Sequence, residues 1–392
     1  MIILLPRMRT RWTVALAALV FMAACSGRSA NSTTMPQSIT RIAQEPFGRT
    51  PDGRVISIVT LRNQNGIEVR VMSYGGIIVS LKTPDRAGRS GDIVLGHDEA
   101  AGYFPNPTFF GAIVGRYGNR IAKGKFSIDG HVYTLPTNNG PNSLHGGTMG
   151  WDQALWDVDP FQGKDGPGVV LTHTSPDGDQ GYPGTVKAKV TYTLTDDDRL
   201  RIEYVATTDK PTVINLTQHS YFNLSAGASP DVLSHQLMIN AAQYTPVDDS
   251  LIPTGEIAPV DHTPFDFRTP TAIGARIGDK DVQLTRGKGY DHNFVLTRLN
   301  AGDLELAARV EEPTSGRTLE VLTTQPGLQF YSGNFLDGTI AGKGGVKYGL
   351  RSGFCLETQH FPDSPNHPSF PSTVLRPGET YASTTVLHFG VK

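Results

Sequence analysis

Five segments of this 392-residue chain bring ionisable side chains together with glycine, asparagine and aromatics. They are Gly115-Arg116-Tyr117-Gly118-Asn119-Arg120-Ile121, Asn142-Ser143-Leu144-His145-Gly146-Gly147, Gln218-His219-Ser220-Tyr221-Phe222-Asn223-Leu224, Tyr290-Asp291-His292-Asn293-Phe294 and Cys355-Leu356-Glu357-Thr358-Gln359-His360-Phe361. Carboxylates and imidazoles move protons near neutral pH, and amides and guanidinium groups bind polar ligands through hydrogen bonds. Taken singly, each segment reads equally well as polar groups satisfied at strand ends. No C-x-x-C, H-E-x-x-H or clustered His/Cys spacing is present, so neither a structural nor a catalytic zinc site has sequence support. Cys25 and Cys355 are the only cysteines, which allows one disulfide at most.

The elements that must carry these groups show a period of two. Ile67, Val69 and Val71 alternate with Glu68 and Arg70 directly after Asn65-Gly66, a pair that supplies the positive φ angles of a tight hairpin. Asp129-Gly130 repeats the device between Phe126-Ser127-Ile128 and Val132-Tyr133-Thr134-Leu135. Val186, Ala188, Val190, Tyr192 and Leu194 share one face, and Leu200, Ile202, Tyr204 and Ala206 repeat it after the Asp196-Asp197-Asp198 turn. Helices are scarce: Ala272 to Gly278 and Glu99 to Phe104 each suggest a turn or two. The 43 glycines and 27 prolines, without a collagen period, point to many turns and short strands. No linker or internal repeat divides the chain. The pattern predicts an all-β fold, one large antiparallel β-sandwich whose long loops carry the polar residues. A net charge of −2 gives no bulk attraction for nucleic acid or an acidic membrane.

The N-terminus follows a different plan. Arg7, Arg9 and Arg11 precede an uncharged apolar run, Trp12 to Ala24, which is a secretory signal in form. It is shorter than the roughly 20 apolar residues a bilayer span needs. Its end, Met22-Ala23-Ala24-Cys25, resembles the lipobox of bacterial lipoproteins, which implies cleavage before Cys25 and lipidation there. The division expected is signal peptide 1–25, a Ser/Thr/Asn-rich tether 26–45 and the β-domain 46–392. Export to the periplasmic side follows, with membrane attachment only through the lipid. Cys355 is then left as a free, buried thiol.

Taken together and in order, the five segments resemble the aldose 1-epimerase (galactose mutarotase) family. Thr323-Thr324-Gln325-Pro326-Gly327-Leu328-Gln329-Phe330-Tyr331-Ser332-Gly333-Asn334-Phe335 and the tail from Phe370-Pro371-Ser372 to Leu375-Arg376-Pro377-Gly378-Glu379 extend the likeness from about residue 47 to the C-terminus. The resemblance implies a galactose mutarotase-like supersandwich with few short helices. It also implies interconversion of the α and β anomers of a free monosaccharide, without cofactor or metal, by a monomer or dimer. Ring opening needs a base for the C1 hydroxyl proton and an acid for the departing ring oxygen, and reclosure reverses the two roles.

By the same resemblance Glu357 is the base and His219 the acid. His145 hydrogen-bonds a sugar oxygen, Asn119, Arg120 and Asp291 hold hydroxyls, and Gln329 contributes a pocket-lining amide. Tyr290, Phe294 and Tyr331 are candidate walls, with core packing expected of at least one. His292, His360 and His367 act behind the site at most. His97, His131, His173, His235, His262 and His388 default to surface or core positions. Three rivals keep a sugar but change the task. A glycoside hydrolase would pair Glu357 with Asp291, a binding module would not need both Glu357 and His219, and a hexose-6-phosphate epimerase would need more basic residues than Arg116 and Arg120. Gly118, where the family often has alanine, is a departure that removes no functional group.

Overall fold

The computed structural model describes residues 40–392 and, before them, Ala15 alone. The readings for the signal peptide, for Cys25 and for most of the tether lie outside the described residues. The domain begins earlier than position 46: a strand at Ile42–Arg49 pairs antiparallel with Val55–Arg62. That strand is largely exposed, with Gln44, Glu45 and Pro46 outward, so it carries no apolar alternation to read.

The strongest alternations became hairpins. Val186–Leu194 pairs with Arg199–Thr208 across the triple-aspartate turn, and the alternate apolar residues of both strands are buried. Asp129 (φ 51°) and Gly130 (φ 82°) are both left-handed and join Lys125–Ile128 to His131–Thr134 in two residues. Asn65-Gly66 behaves differently. Only Gly66 is left-handed (φ 88°), and the loop is held instead by Asn63, whose Oδ1 accepts from the Asn65 and Ile67 N–H groups at 3.1 and 2.9 Å. A side chain there does the work of a tight backbone turn. Single 3-10 turns occupy Ala100–Tyr103 and Ile273–Ala275, inside the two helical guesses. A short α-helix, Val282–Gly287, was not anticipated, since six residues cannot display a helical period. Asp281 caps it by accepting from the Gln283 and Leu284 N–H groups.

Every named strand pair is antiparallel. A nine-stranded sheet runs, in spatial order, Asp157–Gln162, Pro167–Ser175, Val186–Leu194, Arg199–Thr208, Tyr381–Val391, Arg317–Thr323, Glu305–Glu311, Gln236–Ile239 and Thr271–Ala272. A five-stranded meander runs from Ile42–Arg49 to Ser90–Asp92. A second five-stranded sheet takes the order Ala258–Pro259, Ala241–Tyr244, Asp291–Leu296, Gly327–Tyr331 and Cys355–Gln359. Inward residues of all three sheets, among them Val59, Val190, Phe294, Phe330 and Leu356, form one continuous core. The expected antiparallel sandwich is present.

Three strands of the second five-stranded sheet, Asp291–Leu296, Gly327–Tyr331 and Cys355–Gln359, are buried on both faces, which is what positions the chemistry. Phe294, Leu328, Phe330 and Leu356 point into the main core. Their neighbours Tyr331 and Cys355 point the other way, into a second cluster with Tyr221, Leu336 and Tyr348. Successive strand residues face opposite sides, so Asp291, Gln329 and Glu357 belong to that second face.

Candidate active site

Six of the seven expected site residues, Glu357, His219, His145, Asn119, Arg120 and Asp291, line one cavity of about 240 Å³. That is below the roughly 300–1,000 Å³ of pockets for drug-sized ligands and suits a small polar molecule. Register explains part of the convergence. Gln329 lies opposite Glu357 on one side and Asn293 on the other, so three adjacent strands present polar groups in a row.

Glu357 is 2% exposed, its Oε1 lies 3.7 Å from His219 Nε2, and its Oε2 has no hydrogen-bond partner. Burial pushes the Glu357 carboxyl well above the usual carboxylate range, with the Asp291 charge adding to it and Arg120 opposing. His219 follows the short strand Thr217–Gln218, which pairs with Ile113–Val114. Its ring lies between those of Phe109 (centroids 5.9 Å, 26°) and Tyr221 (5.2 Å, 22°). Burial lowers its pKa to about 4, its own backbone carbonyl pulling the other way. The two groups have ion-pair spacing, yet desolvation favours the neutral form of each. At this spacing a proton can be shared between them.

His145 is set by its backbone. It takes a left-handed conformation (φ 51°) before Gly146 (φ 92°), where a Cβ would collide with the Gly115 carbonyl. Its N–H donates to the Asn119 carbonyl at 3.0 Å, and the Asn119 N–H donates to His145 Nδ1 at 3.1 Å. A backbone N–H can only donate, so Nδ1 is the acceptor and the neutral ring carries its hydrogen on Nε2. Burial, then the nearby His219 and Arg120, hold the ring well below its usual pKa. His145 is therefore a neutral donor. His145, His219 and Glu357 place one potential metal-ligating atom each within 4.8 Å of one another. A metal on His145 Nε2 would, however, require that nitrogen to lose its hydrogen while Nδ1 stays committed as an acceptor. The trio fits a hydrogen-bonded oxygen better than a cation.

The opposite wall is a chain of fixed polar groups. Arg120 Nε donates to Asn139 Oδ1 at 3.0 Å, and its Nη2 lies 3.6 Å from Asp291 Oδ2. Asn119 Oδ1 accepts the Arg120 N–H at 2.9 Å. Gln329 departs from expectation: it does not line the cavity, and its Nε2 instead donates to Asp291 Oδ1 at 2.8 Å. It orients Asp291 from behind.

The aromatic walls were read only in part. Tyr331 lines the cavity, and half-exposed Phe335 stacks on it at the rim (6.0 Å, 17°). Tyr290 and Phe294 pack in the core. Phe109, Tyr221, Leu336 and Asn139 were missed as lining residues. Tyr221 lay within a quoted segment, and the Phe109-Phe110 pair in a proline- and asparagine-containing loop was the available signal for the first. Of the other histidines, none lines the cavity. His292 Nδ1 accepts the Asp291 N–H (3.1 Å) and Nε2 meets Gln283 Oε1 (3.2 Å), so it supports Asp291 from the core side. Arg116 is fully buried and spends its guanidinium on Ser175 and on the carbonyls of Pro176, Pro183 and Gly184. It cannot serve a phosphate. Cys355 is free and buried, as expected, with Sγ 3.5 Å from His219 Nδ1.

Known proteins similar to this chain show its family. The aldose 1-epimerase family model matches residues 57–388. Galactose mutarotase of Rattus norvegicus is 48% identical over 355 residues, covering 90% of this chain and 99% of its own. Aldose 1-epimerase of Escherichia coli K12 is 42% identical, covering 86% and 96%. The crystal structure of galactose 1-epimerase from Lactobacillus acidophilus superposes with a TM-score of 0.79 at 30% identity, covering 89% of this chain and 98% of that one. An aldose epimerase homologue from C. elegans gives 0.78 at 32%, covering 85% and 98%. The chain, an enzyme of the isomerase class, belongs to the aldose 1-epimerase family.

Proposed function

We propose that this aldose 1-epimerase acts on free aldohexoses such as glucose and galactose, with Glu357 and His219 as its acid–base pair. The observation that carries this reading is the 3.7 Å approach of Glu357 Oε1 to His219 Nε2 inside a cavity that also holds Asp291, Arg120 and Asn119. With the shared proton on His219, Glu357 takes the C1 hydroxyl proton as His219 gives one to the ring oxygen. The ring opens, and the pair becomes neutral, the state its burial favours. Rotation about C1–C2 exposes the other carbonyl face. His219 then recovers the hydroxyl proton at C5 while Glu357 returns one to O1, and the pair ends with the proton count it began with. His145 donates through Nε2–H to the ring oxygen or an adjacent hydroxyl, while Asp291 accepts from hydroxyls and Arg120 and Asn119 donate to them.

Polarimetry on freshly dissolved α-D-glucose and α-D-galactose tests the reading. Relaxation faster than the spontaneous rate is expected with both, and release of no reducing ends from glycosides. Catalysed relaxation of neither sugar would refute it. For location, the basic flank, the uncharged run Trp12 to Ala24 and Met22-Ala23-Ala24-Cys25 support export and lipid attachment at Cys25. The expected outcome is partition of the full chain into a detergent phase, lost in Cys25→Ala. Equal partition of both proteins would remove the anchor.

A further inference from the structure

We propose that Asn139 is a further substrate-binding residue, its Nδ2 donating to a sugar hydroxyl beside the one that Arg120 holds. The inference rests on the free-sugar reading above and deepens it by adding a donor to the wall opposite Glu357. The turn Asn138-Asn139-Gly140-Pro141-Asn142 carries three asparagines, and their side chains are spent differently. Asn138 Oδ1 accepts the Leu144 N–H at 2.7 Å, while its Nδ2 donates to the Leu144 and Gly147 carbonyls at 3.0 and 2.9 Å. Asn142 Oδ1 accepts the Lys123 N–H at 2.9 Å, and its Nδ2 donates to the Ser250 carbonyl at 3.2 Å. Both of these amides are committed to backbone at each end. Asn139 is committed at one end only. Its Oδ1 accepts from Arg120 Nε at 3.0 Å, and its Nδ2 makes no hydrogen bond among the described residues. Of the three, Asn139 is the one that lines the cavity.

The direction of that amide is dictated by its partner. A guanidinium carries donors alone, so only the carbonyl end of Asn139 can meet Nε, and the NH2 end is turned away from Arg120. The backbone fixes where the side chain starts. The Asn139 and Asn142 N–H groups donate to each other's carbonyls at 3.1 Å each, closing the turn over left-handed Gly140 (φ 57°). The wall therefore presents, in order, Asp291 Oδ2 as acceptor, the Arg120 guanidinium as donor and Asn139 Nδ2 as donor. Each hydroxyl of a pyranose both donates and accepts, so a row of one acceptor and two donors can engage neighbouring hydroxyls together. The amide is neutral at every working pH. It contributes to binding and to the choice among sugars, and takes no part in proton transfer.

Backbone bonds hold the turn, so Asn139→Ala in the full chain removes the amide and leaves the loop intact. Its KM for mutarotation of glucose should rise about 3- to 10-fold at little-changed kcat, the usual worth of one hydrogen bond. Direct contact and an effect passed through Arg120 separate on two axes. The first is the substrate. Among 2-, 3-, 4- and 6-deoxyglucose, the penalty should vanish for the sugar that lacks the partner hydroxyl and persist for the other three. The second is the background. In Arg120→Met, which has no Nε to hold, Asn139→Ala should still raise KM. Asn138→Ala, whose side chain meets backbone alone, serves as the control and should cost the same with every sugar. Three results would each overturn the proposal: an unchanged KM in Asn139→Ala, a penalty that persists with all four deoxy sugars, or one that disappears in Arg120→Met. Failure of wild type to catalyse relaxation of glucose or galactose would instead remove the reading on which it rests.

Discussion

Replacing Glu357 by glutamine removes a base while keeping the shape of the wall it stands in. The carboxamide has the same reach, and its neighbours across the sheet, Gln329 above all, need no rearrangement. If Glu357 only hydrogen-bonded the sugar, the amide would keep part of that contact, and the loss would stay within about tenfold, the worth of 0.5–1.5 kcal/mol. If it takes the C1 hydroxyl proton, kcat should fall by roughly 10²–10⁴, or about 3–5 kcal/mol of barrier. The two roles therefore separate at about tenfold. Stability moves the opposite way. The folded pKa of Glu357 lies above its unfolded value, so the native state binds the extra proton and loses stability as pH rises from the unfolded pKa through the folded one. An amide has no charge to bury, so Glu357→Gln should unfold no lower in temperature than wild type at pH 7–8. Polarimetry corrected for the spontaneous rate gives kcat, and thermal unfolding gives the second axis. A well-folded variant retaining more than a tenth of the wild-type rate would refute the assignment.

Asp291→Asn should raise KM by about 10–100-fold with a smaller change in kcat, since hydrogen bonds to a charged group contribute roughly 1.5–3 kcal/mol and this one binds rather than reacts. Gln329→Leu, which frees Asp291 Oδ1, should shift the same parameter by less, and Michaelis profiles decide both. The pKa values of His219, His235 and His360 are lowered to about 4 and that of His292 to about 3, all chiefly by burial. The unfolded chain therefore binds more protons than the native one between about pH 4 and 6.5. Each ring should cost up to about 2 kcal/mol at pH 5 relative to pH 7, so urea midpoints should fall steeply over that interval, and a flat profile would contradict the burial of neutral rings. Asp152 is the reverse case. It is 1% exposed, neither carboxyl oxygen has a hydrogen-bond partner, and burial pushes its pKa up to about 7. Its folded pKa lies above the unfolded value, so stability drops as pH rises from about 4 to 7. Asp152→Asn should recover roughly 1–3 kcal/mol above pH 7 in denaturant titrations.

Legibility followed the number of faces an element buries. The hairpin Val186–Leu194 with Arg199–Thr208 has one buried face, so its alternation could be read residue by residue. The strands that carry the site, Gly327–Tyr331 and Cys355–Gln359, are buried throughout, and a strand covered on both sides shows no alternation to a sequence reader. Their polar residues were found through resemblance instead. Resemblance names residues without saying which nitrogen or oxygen faces the ligand, and Gln329 shows the difference. It is part of the site's machinery, yet it acts through Asp291. Phe109 and Asn139 come from loops whose path depends on contacts distant in the chain, and nothing in their own spacing marks them as walls.

Backbone geometry explains how two imidazoles in one cavity acquire different work. At His145, the Asn119 N–H occupies Nδ1, and such a donor has no alternative state. The ring can donate from Nε2, but to accept a second proton it must break a hydrogen bond that also fixes the loop. At His219, the corresponding nitrogen meets a thiol, which can reverse its role as the ring gains or loses charge. Nothing at that edge opposes protonation except desolvation, and stacking between Phe109 and Tyr221 leaves the π-faces available to a cation. The same side chain is thus a fixed hydrogen-bond donor in one loop and a proton carrier in the other. The difference lies in what stands behind each ring, and it follows that exchanging the residues behind the rings should disturb the division of labour more than altering the cavity's exposed rim.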